Sequence, residues 1–483
     1  MSIQTNLFIN NEYLPSSTGE TLSIYSPSDD SLVSDQIQVA SEADVDKAVA
    51  AAKAAFHTWW ATPGPERGRI MLKFADLLER DAKKLAKLES MAMGLPISVS
   101  TRLVHSPAAI WRYYAGFSDK LAGESYPPDG DGMYKIVAYE PLGVCSGICA
   151  WNVTHILAAW KMAPALAAGN TFVIKSSEKS PLALAAYGEL VKEAGFPPGV
   201  INILSGAGAV GAMLASHMDI AKIAFTGSAG TGRLVQIAAA KSNMKHVSLE
   251  LGGKSAALVF EDADIENAVL HNSDNFLANS GQVCVAASRV LVHESIASKF
   301  IEAMKVAFEA AEKGMGDALL ESTVFGPLAD KKQFDNVMRF LDESKADGVR
   351  ILTGGERKGE KGTFVKPTVL LTQDTNAKVY KEEIFGPVIT VRTFKNEEDA
   401  IKLANDTTYG LGSTIFTADI ARALRVASKL EAGTVSINSS YTPSVQTPFG
   451  GYKQSGIGRE GGLEGLREYL QAKAIHINMG IGK

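Results

Sequence analysis

Three side chains in this sequence combine a reactive or polar group with a setting that could put it to use: Cys284, Glu250 and Asn152. Cys284 sits in Asn279-Ser280-Gly281-Gln282-Val283-Cys284-Val285, glycine-flexible and polar on one side, after a helical stretch that starts near Asp264. A thiol there could act as a nucleophile; a lone cysteine also serves as a small buried hydrophobe. Glu250 closes a strand in Leu249-Glu250-Leu251-Gly252-Gly253-Lys254. A carboxylate between leucines is costly to bury unless paired or used. That leaves a salt bridge, with Lys254 as the candidate partner, or a general base with a raised pKa. Asn152, in Trp151-Asn152-Val153, could cap the following helix or offer its amide to an oxyanion, and taken alone the cap is favoured. Cys145 and Cys149 fall in a predicted buried strand with no His or Cys at metal-ligand spacing nearby, so they are read as packing residues and no metal site is expected.

A second group of residues suits a nucleotide. Phe225 to Gly232 reads as a strand end, a glycine-rich turn at Gly227 and Ser228, and a helix start. Backbone N–H groups and the helix dipole there could receive a pyrophosphate. Glycine-rich turns also join strands to helices for steric reasons alone, and no full GxGxxG with a downstream acid is present. Lys175 and Glu178 end another strand in Lys175-Ser176-Ser177-Glu178. A carboxylate at that place can accept hydrogen bonds from an adenosine ribose and would repel a 2′-phosphate, which favours NAD over NADP. A solvated charge pair at a helix entrance is the alternative.

These residues need a frame, and the hydrophobic pattern supplies one. From Val144, short apolar strands alternate with helices: Val144 to Cys149, Thr171 to Lys175, Val200 to Leu204, Ala221 to Phe225 and Val247 to Leu251. Helical segments lie between them, such as Pro181 to Ala194 with Ser180 as N-cap and Gly195 as stop. This alternation predicts an α/β fold with right-handed crossovers and a parallel doubly wound sheet, whose ligands bind at the carboxyl ends of the strands. Asn152, Lys175, Glu178, Gly227, Ser228 and Glu250 all fall at or just past such ends, so one crevice is expected to gather them. A second series from about Ala256, through Ser288 to His293, Thr363 to Leu371, Val388 to Phe394 and Thr434 to Asn438, predicts another large domain. Upstream, Phe8-Ile9 before Asn10-Asn11 predicts a strand and turn. Ser41 with Asp44 resembles a capping box, with Val45, Val49, Ala52, Phe56 and Trp60 at helical spacing. A second helix is expected from about Glu66 to Met93, stopped by Gly94 and Pro96, and Gly123 to Gly132 followed by Lys135 to Tyr139 predicts a projecting hairpin.

Composition narrows the function classes. At 483 residues the chain exceeds a single core, so two large domains are expected. A formal charge of -5 is too balanced for nucleic acid or an anionic membrane as the main partner, which points to a small molecule. The most apolar stretch, Ile156 to Ala168, is interrupted by Lys161 and Pro164, and no secretory leader is read at the N-terminus. With three cysteines and no disulfide framework, the cytoplasm is the expected compartment.

The motifs occur in a fixed order: Ala150-Trp151-Asn152, Lys175-Ser-Ser-Glu178, Phe225-Thr-Gly-Ser228, Leu249-Glu-Leu-Gly-Gly-Lys254, Gly281-Gln-Val-Cys284, Glu382-Glu-Ile-Phe-Gly-Pro387 and Pro448-Phe-Gly-Gly-Tyr-Lys-Gln-Ser-Gly456. Together they resemble the aldehyde dehydrogenase superfamily from about Phe8 to about Tyr469. The resemblance implies two Rossmann-like doubly wound α/β domains and a small β oligomerisation arm. The nucleotide-binding domain would take 1–122 and 142–252, the catalytic domain 253–450, and the arm 123–141 and 451–483, in a homodimer or homotetramer. It further implies that Cys284 attacks an aldehyde, that Asn152 and the Cys284 N–H hold the oxyanion, and that Glu250 activates the water that hydrolyses a thioester. Relatives that pass the acyl group to coenzyme A generally lack this glutamate. NAD would be held by Trp151, Lys175 and Glu178 at the adenosine half, Gly227 and Ser228 at the pyrophosphate, Gln333 at a ribose, and Glu383 with Phe385 at the nicotinamide end. Val153, Leu157, Trp160, Val283, Val285, Tyr441, Pro443 and Phe449 would line the substrate pocket. That apolar set with one phenol fits an aliphatic or aromatic aldehyde better than a carboxylated one, for which an arginine would be expected.

The chain departs from the family at one loop. Where Pro-Trp-Asn-Phe-Pro is common, it reads Ala150-Trp151-Asn152-Val153-Thr154-His155, without either proline or the aromatic. His155 is read as solvated in the first turn of a helix, with a substrate contact as the alternative. Two competing readings are a non-catalytic NAD-binding or structural relative, and an NADP-preferring or acyl-transferring enzyme of the same fold. Intact Cys284, Glu250 and Asn152 count against the first, Glu178 and Glu250 against the second.

Overall fold

The strand Val144–Ile148 is the centre from which the first sheet is wound. In the computed structural model, which describes residues 3–441 and 444–480, it pairs on one side with Thr171–Lys175 and then Ile201–Leu204. On the other side it pairs with Lys222–Thr226 and then His246–Glu250, all in parallel. Every residue of Val144–Ile148, Thr171–Lys175, Ile201–Leu204 and Lys222–Thr226 is buried, as apolar runs covered on both faces require. The winding direction reverses between Val144–Ile148 and Lys222–Thr226. A crevice therefore opens there, outside the carboxyl ends. Antiparallel partners close both edges: the hairpin Leu7–Ile9 and Glu12–Leu14, turned on Asn10 and Asn11 at φ 56° and 61°, and the short strand Gly456–Ile457.

The second sheet has seven strands in the order Arg350–Thr353, Thr368–Leu371, Val388–Phe394, Arg289–His293, Ala256–Val259, Gly412–Phe416 and Thr434–Ile437. Only the first is antiparallel. The predicted strand from Thr363 is shorter and begins at Thr368, and Gly412–Phe416 and Arg350–Thr353 are additions to the expected series. A third sheet joins Glu124–Tyr126, Met133–Pro141 and the C-terminal Leu470–Asn478, all antiparallel, so the predicted hairpin gains a third strand from the far end of the chain.

The helical layers correct three expectations. The capping box at Ser41 and Asp44 is present, but Trp59, not Trp60, continues the buried face of Glu42–Ala61. Trp59 is 0% exposed, two helical turns beyond Ala52, whereas Trp60 is 41% exposed and stacks on Phe56. The long helix expected over Glu66 to Met93 is two, Gly64–Arg80 and Ala82–Met93, broken at Asp81 with φ −95° and ψ 11°. Asp81 pairs with Arg80, and the apolar face carries on through the break, which hides it from periodicity. The segment Pro181 to Ala194 is likewise two helices, Pro181–Ala185 and Tyr187–Ala194, and Ser180 does not cap them: its hydroxyl bonds that of Thr154 at 2.8 Å. Among the described residues no helix is long and apolar enough to cross a membrane.

Candidate active site

The loops after the central strands deliver the expected residues to the crevice. Asn152 follows Val144–Ile148, Gly227 and Ser228 follow Lys222–Thr226, and Glu250 ends its strand directly opposite Thr226. Cys284 comes from the second sheet, in the loop between the short helix Asp274–Leu277 and the strand Arg289–His293. Asn152, Thr226, Gly227, Ser228, Glu250 and Cys284 line one cavity of about 240 Å³ together with Trp151, Gln333, Glu383 and Phe385.

The cysteine loop is held by its own polar residues. Ser280 and Gly281 take φ of 53° and 70°, and a Cβ at Gly281 would collide with the Gly386 carbonyl. Ser280 donates to the Gly326 carbonyl at 2.6 Å. The Gln282 amide bonds the Asn279 carbonyl at 3.1 Å and accepts the Ala329 N–H at 2.9 Å. Asn279 donates to the Asn152 carbonyl at 3.0 Å, and Asn152 donates to the Gln282 carbonyl at 3.1 Å. Asn152 is therefore not a helix cap: Thr154–Ala167 has no side-chain cap, and the Asn152 amide keeps its second N–H beside Cys284.

Glu250 is 3% exposed, and neither carboxylate oxygen has a hydrogen bond of ordinary geometry among the described residues. Burial, and then the nearby Glu460 charge, push its pKa up to about 8. Lys254 is not its partner. The Lys254 ammonium is also buried without a hydrogen bond, pushed down to about 7 by burial and by Arg289. Of the two readings the sequence left open, the salt bridge to Lys254 is absent. The Cys284 thiol lies beside Glu250 and is held well above its ordinary pKa, first by burial and then by the Glu250 charge. Cys145 and Cys149 are buried and pushed up to about 12 by burial, as packing thiols are.

On the nucleotide side, Glu383 is half-buried and accepts the Gly253 N–H at 3.0 Å, with its pKa pushed up to about 7 by burial. Gln333 donates to the Ile384 and Phe385 carbonyls at 3.2 and 2.8 Å, fixing Phe385 at φ 57° with its ring edge-to-face on Trp151. Ser228 caps the helix Ala229–Lys241 by accepting the Thr231 N–H. A second cavity of about 790 Å³ takes in Glu178, Lys179, Ala207 and Asp330. Lys179 links the two cavities, lying over the Trp151 ring at 4.9 Å. Lys175 is buried and lines neither; its ammonium donates to the Ser176 carbonyl at 2.8 Å and stands 3.8 Å from Glu178.

Val283 and Val285, which flank Cys284 in the chain, line a cavity of about 300 Å³ with Tyr441. Leu157, Trp160 and Phe449 are buried in the main core, and Val153, Val285, Tyr441 and Cys284 pack against it. Phe449 joins Trp160 and Tyr441 at 5.3 and 5.1 Å. Pro443 lies outside the described residues. His155 is neither solvated nor in a cavity that reaches Cys284. It is 2% exposed, its Nδ1 bonds the Tyr187 hydroxyl at 2.7 Å and its Nε2 faces the Leu85 carbonyl at 3.4 Å, because the helix it opens is buried on all sides.

The aldehyde dehydrogenase family profile matches residues 13–475. The chain belongs to the aldehyde dehydrogenase family. It is 46% identical over 479 residues to an aldehyde dehydrogenase of Davidiella tassiana, covering 99% of this chain and 96% of that one. It is 43% identical to human retinal dehydrogenase 2 over 480 residues, 98% of this chain and 92% of that one. The solved structure of Staphylococcus aureus betaine aldehyde dehydrogenase in complex with NAD+ superposes with a TM-score of 0.96 at 36% identity, over 100% of this chain and 96% of the other. PnpE, from Pseudomonas sp. WBC-3, in complex with nicotinamide adenine dinucleotide gives 0.96 at 42% identity, over 100% and 99%.

In this aldehyde dehydrogenase, which oxidises aldehydes to acids, sequence reading missed a buried ion pair behind Glu250. Lys161 is 0% exposed and donates to Glu460 and to the Thr226 hydroxyl, both at 2.6 Å. Burial works against its charge, but Glu460 and the other acidic groups around it, Cys149 and Glu250, together outweigh that, so its pKa is raised. A signal existed: a lysine inside the most apolar run of the chain must find a counter-charge. Asn279, Ser280 and Gln282 were visible as flanking polar residues, but their bonding across the loop was not.

Proposed function

We propose that this protein is an NAD-dependent, hydrolytic aldehyde dehydrogenase working through a thioester on Cys284. The observation that carries the reading is the Glu250 carboxylate: buried, unbonded, raised to about 8 and beside the Cys284 thiol. A carboxylate so placed can take a proton near neutral pH, which a salt-bridged one cannot.

Cys284, as the thiolate after its proton has passed to solvent, forms a bond to the aldehyde carbon, and the carbonyl oxygen becomes an oxyanion within reach of the free Asn152 N–H and the Cys284 backbone N–H. Collapse of that oxyanion expels a hydride and leaves a thioester. Glu250 then takes a proton from water as its oxygen attacks the acyl carbon, and the sulfur leaves with the acid released. Lys161 and Glu460 sit behind Glu250, so its proton has a buried polar neighbour to answer to.

The residues fit a dinucleotide. The two cavities are bridged by Lys179 of one lying over Trp151 of the other, with the N-terminus of Ala229–Lys241 opening on the cavity that holds Cys284. Gly252 has no side chain where one would displace the Glu383 carboxylate, which keeps acceptor positions open for ribose hydroxyls. NAD, when bound, supplies the hydride acceptor. Glu178 would hold the adenosine ribose and disfavour a 2′-phosphate. Lys175 supports that loop from within.

We further propose the division into a nucleotide-binding unit, a catalytic unit and an arm, with the arm joining copies into a homodimer or homotetramer. Its strand Leu470–Asn478 is exposed along nearly its whole length and carries Ile475 and Ile477 at the surface. Three free cysteines fit a reducing cytoplasm. The test is NADH formation from short aliphatic, long aliphatic, aromatic and carboxylated aldehydes, with NAD and then NADP. Turnover with NAD should exceed that with NADP, and Cys284→Ala should lose at least about a thousandfold; a Cys284→Ala enzyme that keeps its rate overturns the mechanism.

A further inference from the structure

The cavity of about 300 Å³ lined by Val283 and Val285, the chain neighbours of Cys284, has two kinds of wall. Val283, Val285 and Tyr441 give it apolar surface. His271, Asn275, Ser440 and Thr414 make another part of the lining, and among the described residues no Lys, Arg, Asp or Glu contributes to it. An aldehyde that fills this space meets hydrogen-bonding groups but no counter-charge.

Those groups are held in place and not used up. The Ser440 backbone N–H donates to His271 Nδ1 at 2.9 Å, and the Asn275 amide donates to the same nitrogen at 2.7 Å and to the Ser440 hydroxyl at 3.1 Å. A ring whose Nδ1 accepts a backbone N–H carries its proton on Nε2. That Nε2–H has no hydrogen-bond partner among the described residues, whose His271 bonds all fall on Nδ1. The Thr414 hydroxyl, on a residue 7% exposed, is buried without a partner. A buried hydroxyl left open in a cavity wall is costly unless a ligand completes it. His271 is half-buried, and its Nε2–H stays free to bond a ligand. Burial holds the His271 ring below its ordinary pKa, so it presents a neutral donor.

Resting on the reading of Cys284 as the nucleophile, we propose that this cavity selects uncharged aldehydes with an apolar body and a hydroxyl or ether oxygen at the end away from the carbonyl. His271 Nε2–H and the Thr414 hydroxyl receive that oxygen. His271 and Thr414 are then specificity residues, and a carboxylated aldehyde is the wrong substrate because nothing in the lining neutralises it.

The test compares kcat/KM for para-(hydroxymethyl)benzaldehyde, para-ethylbenzaldehyde and para-carboxybenzaldehyde, whose first two members are nearly isosteric and differ in one oxygen. The hydroxymethyl compound should lead the ethyl compound by about three- to tenfold, the scale of one neutral hydrogen bond, and the carboxylate should be poorest. His271→Phe and, separately, Thr414→Val should bring the ratio of the first two towards one; Thr414→Val breaks no bond to the protein and guards against misfolding. Equal rates in the wild type, a ratio unmoved in both variants, or preference for the carboxylate overturns the proposal. So does oxidation of aliphatic aldehydes with none of these three turned over. Absence of turnover with every aldehyde, by a folded protein, instead brings down the Cys284 reading itself.

Discussion

Two buried polar clusters flank the loop that carries Asn152, and they are built on opposite rules. On one side, His155, Glu89, Thr154, Ser180 and Tyr187 satisfy one another. Glu89 accepts the Thr154 N–H at 2.8 Å, Thr154 bonds Ser180 at 2.8 Å, and His155 bonds and stacks on Tyr187. On the other side, Glu250 and Lys254 are just as buried yet lack hydrogen bonds, and their pKa values move to about 8 and about 7. A satisfied cluster stabilises a shape. An unsatisfied one stores a cost that chemistry can use. The contrast also accounts for the departure from the family at this loop: where prolines would stiffen the chain, Thr154 does it with hydrogen bonds, including one from its own N–H that a proline lacks.

The contrast is sharpened most by variants on the unsatisfied side. Glu250→Gln keeps the shape and removes the base, so steady-state turnover should fall roughly a hundred- to ten-thousandfold, while a single-turnover burst of NADH survives. Glutamate works as a base only when ionised, so hydrolysis-limited turnover of the wild type should rise as pH climbs through about 8 and level off above it. The glutamine variant should lose that limb, and an unchanged pH profile would remove Glu250 from the hydrolytic step. Stability moves the other way. In the fold Glu250 stays protonated up to about 8, whereas the unfolded chain ionises it near 4.5, so wild-type stability relative to the variant should fall as pH rises between those values. Next in size, Asn152→Ala removes an oxyanion donor and should cost roughly 10²–10³ in kcat with a smaller change in KM; a loss confined to KM would assign Asn152 to binding alone.

What could be read in advance follows the same line. Thr171–Lys175 and Val388–Phe394 were expected to the residue, because strands buried on both faces have a local signature. Asn10 and Asn11 announced their turn, and Ser41 with Asp44 announced a helix start, because such chemistry is carried by neighbours in sequence. Glu250 stood out as a carboxylate between leucines, but Cys284 and Asn152 were ambiguous alone, and the ordered set of motifs resembling the family singled out all three. The satisfied partnerships stayed hidden. Lys161 meets Glu460 across 299 positions, and His155 meets Tyr187 across 32, so no spacing rule connects them. His155 was expected at the surface because a first helical turn is usually wet, and tertiary packing against Ala82–Met93 and Tyr187 overrode that.

The smallest expected effect on activity lies on the satisfied side, and it is the one that can break the comparison. Tyr187→Phe removes one hydroxyl from a fully buried ring and leaves His155 Nδ1 without its 2.7 Å partner. The loss should be about 1–3 kcal/mol of stability, the cost of a buried acceptor left open, read as a lower Tm. Since neither residue reaches the cavities around Cys284, kcat should stay within about threefold, the kinetic scale of well under 1 kcal/mol. His155→Leu should behave alike, because it leaves the Tyr187 hydroxyl as the orphan instead. If either variant keeps its Tm and loses kcat by as much as Asn152→Ala, the satisfied cluster is tuning the oxyanion loop as well as holding it, and the division between shape and chemistry drawn at Asn152 fails.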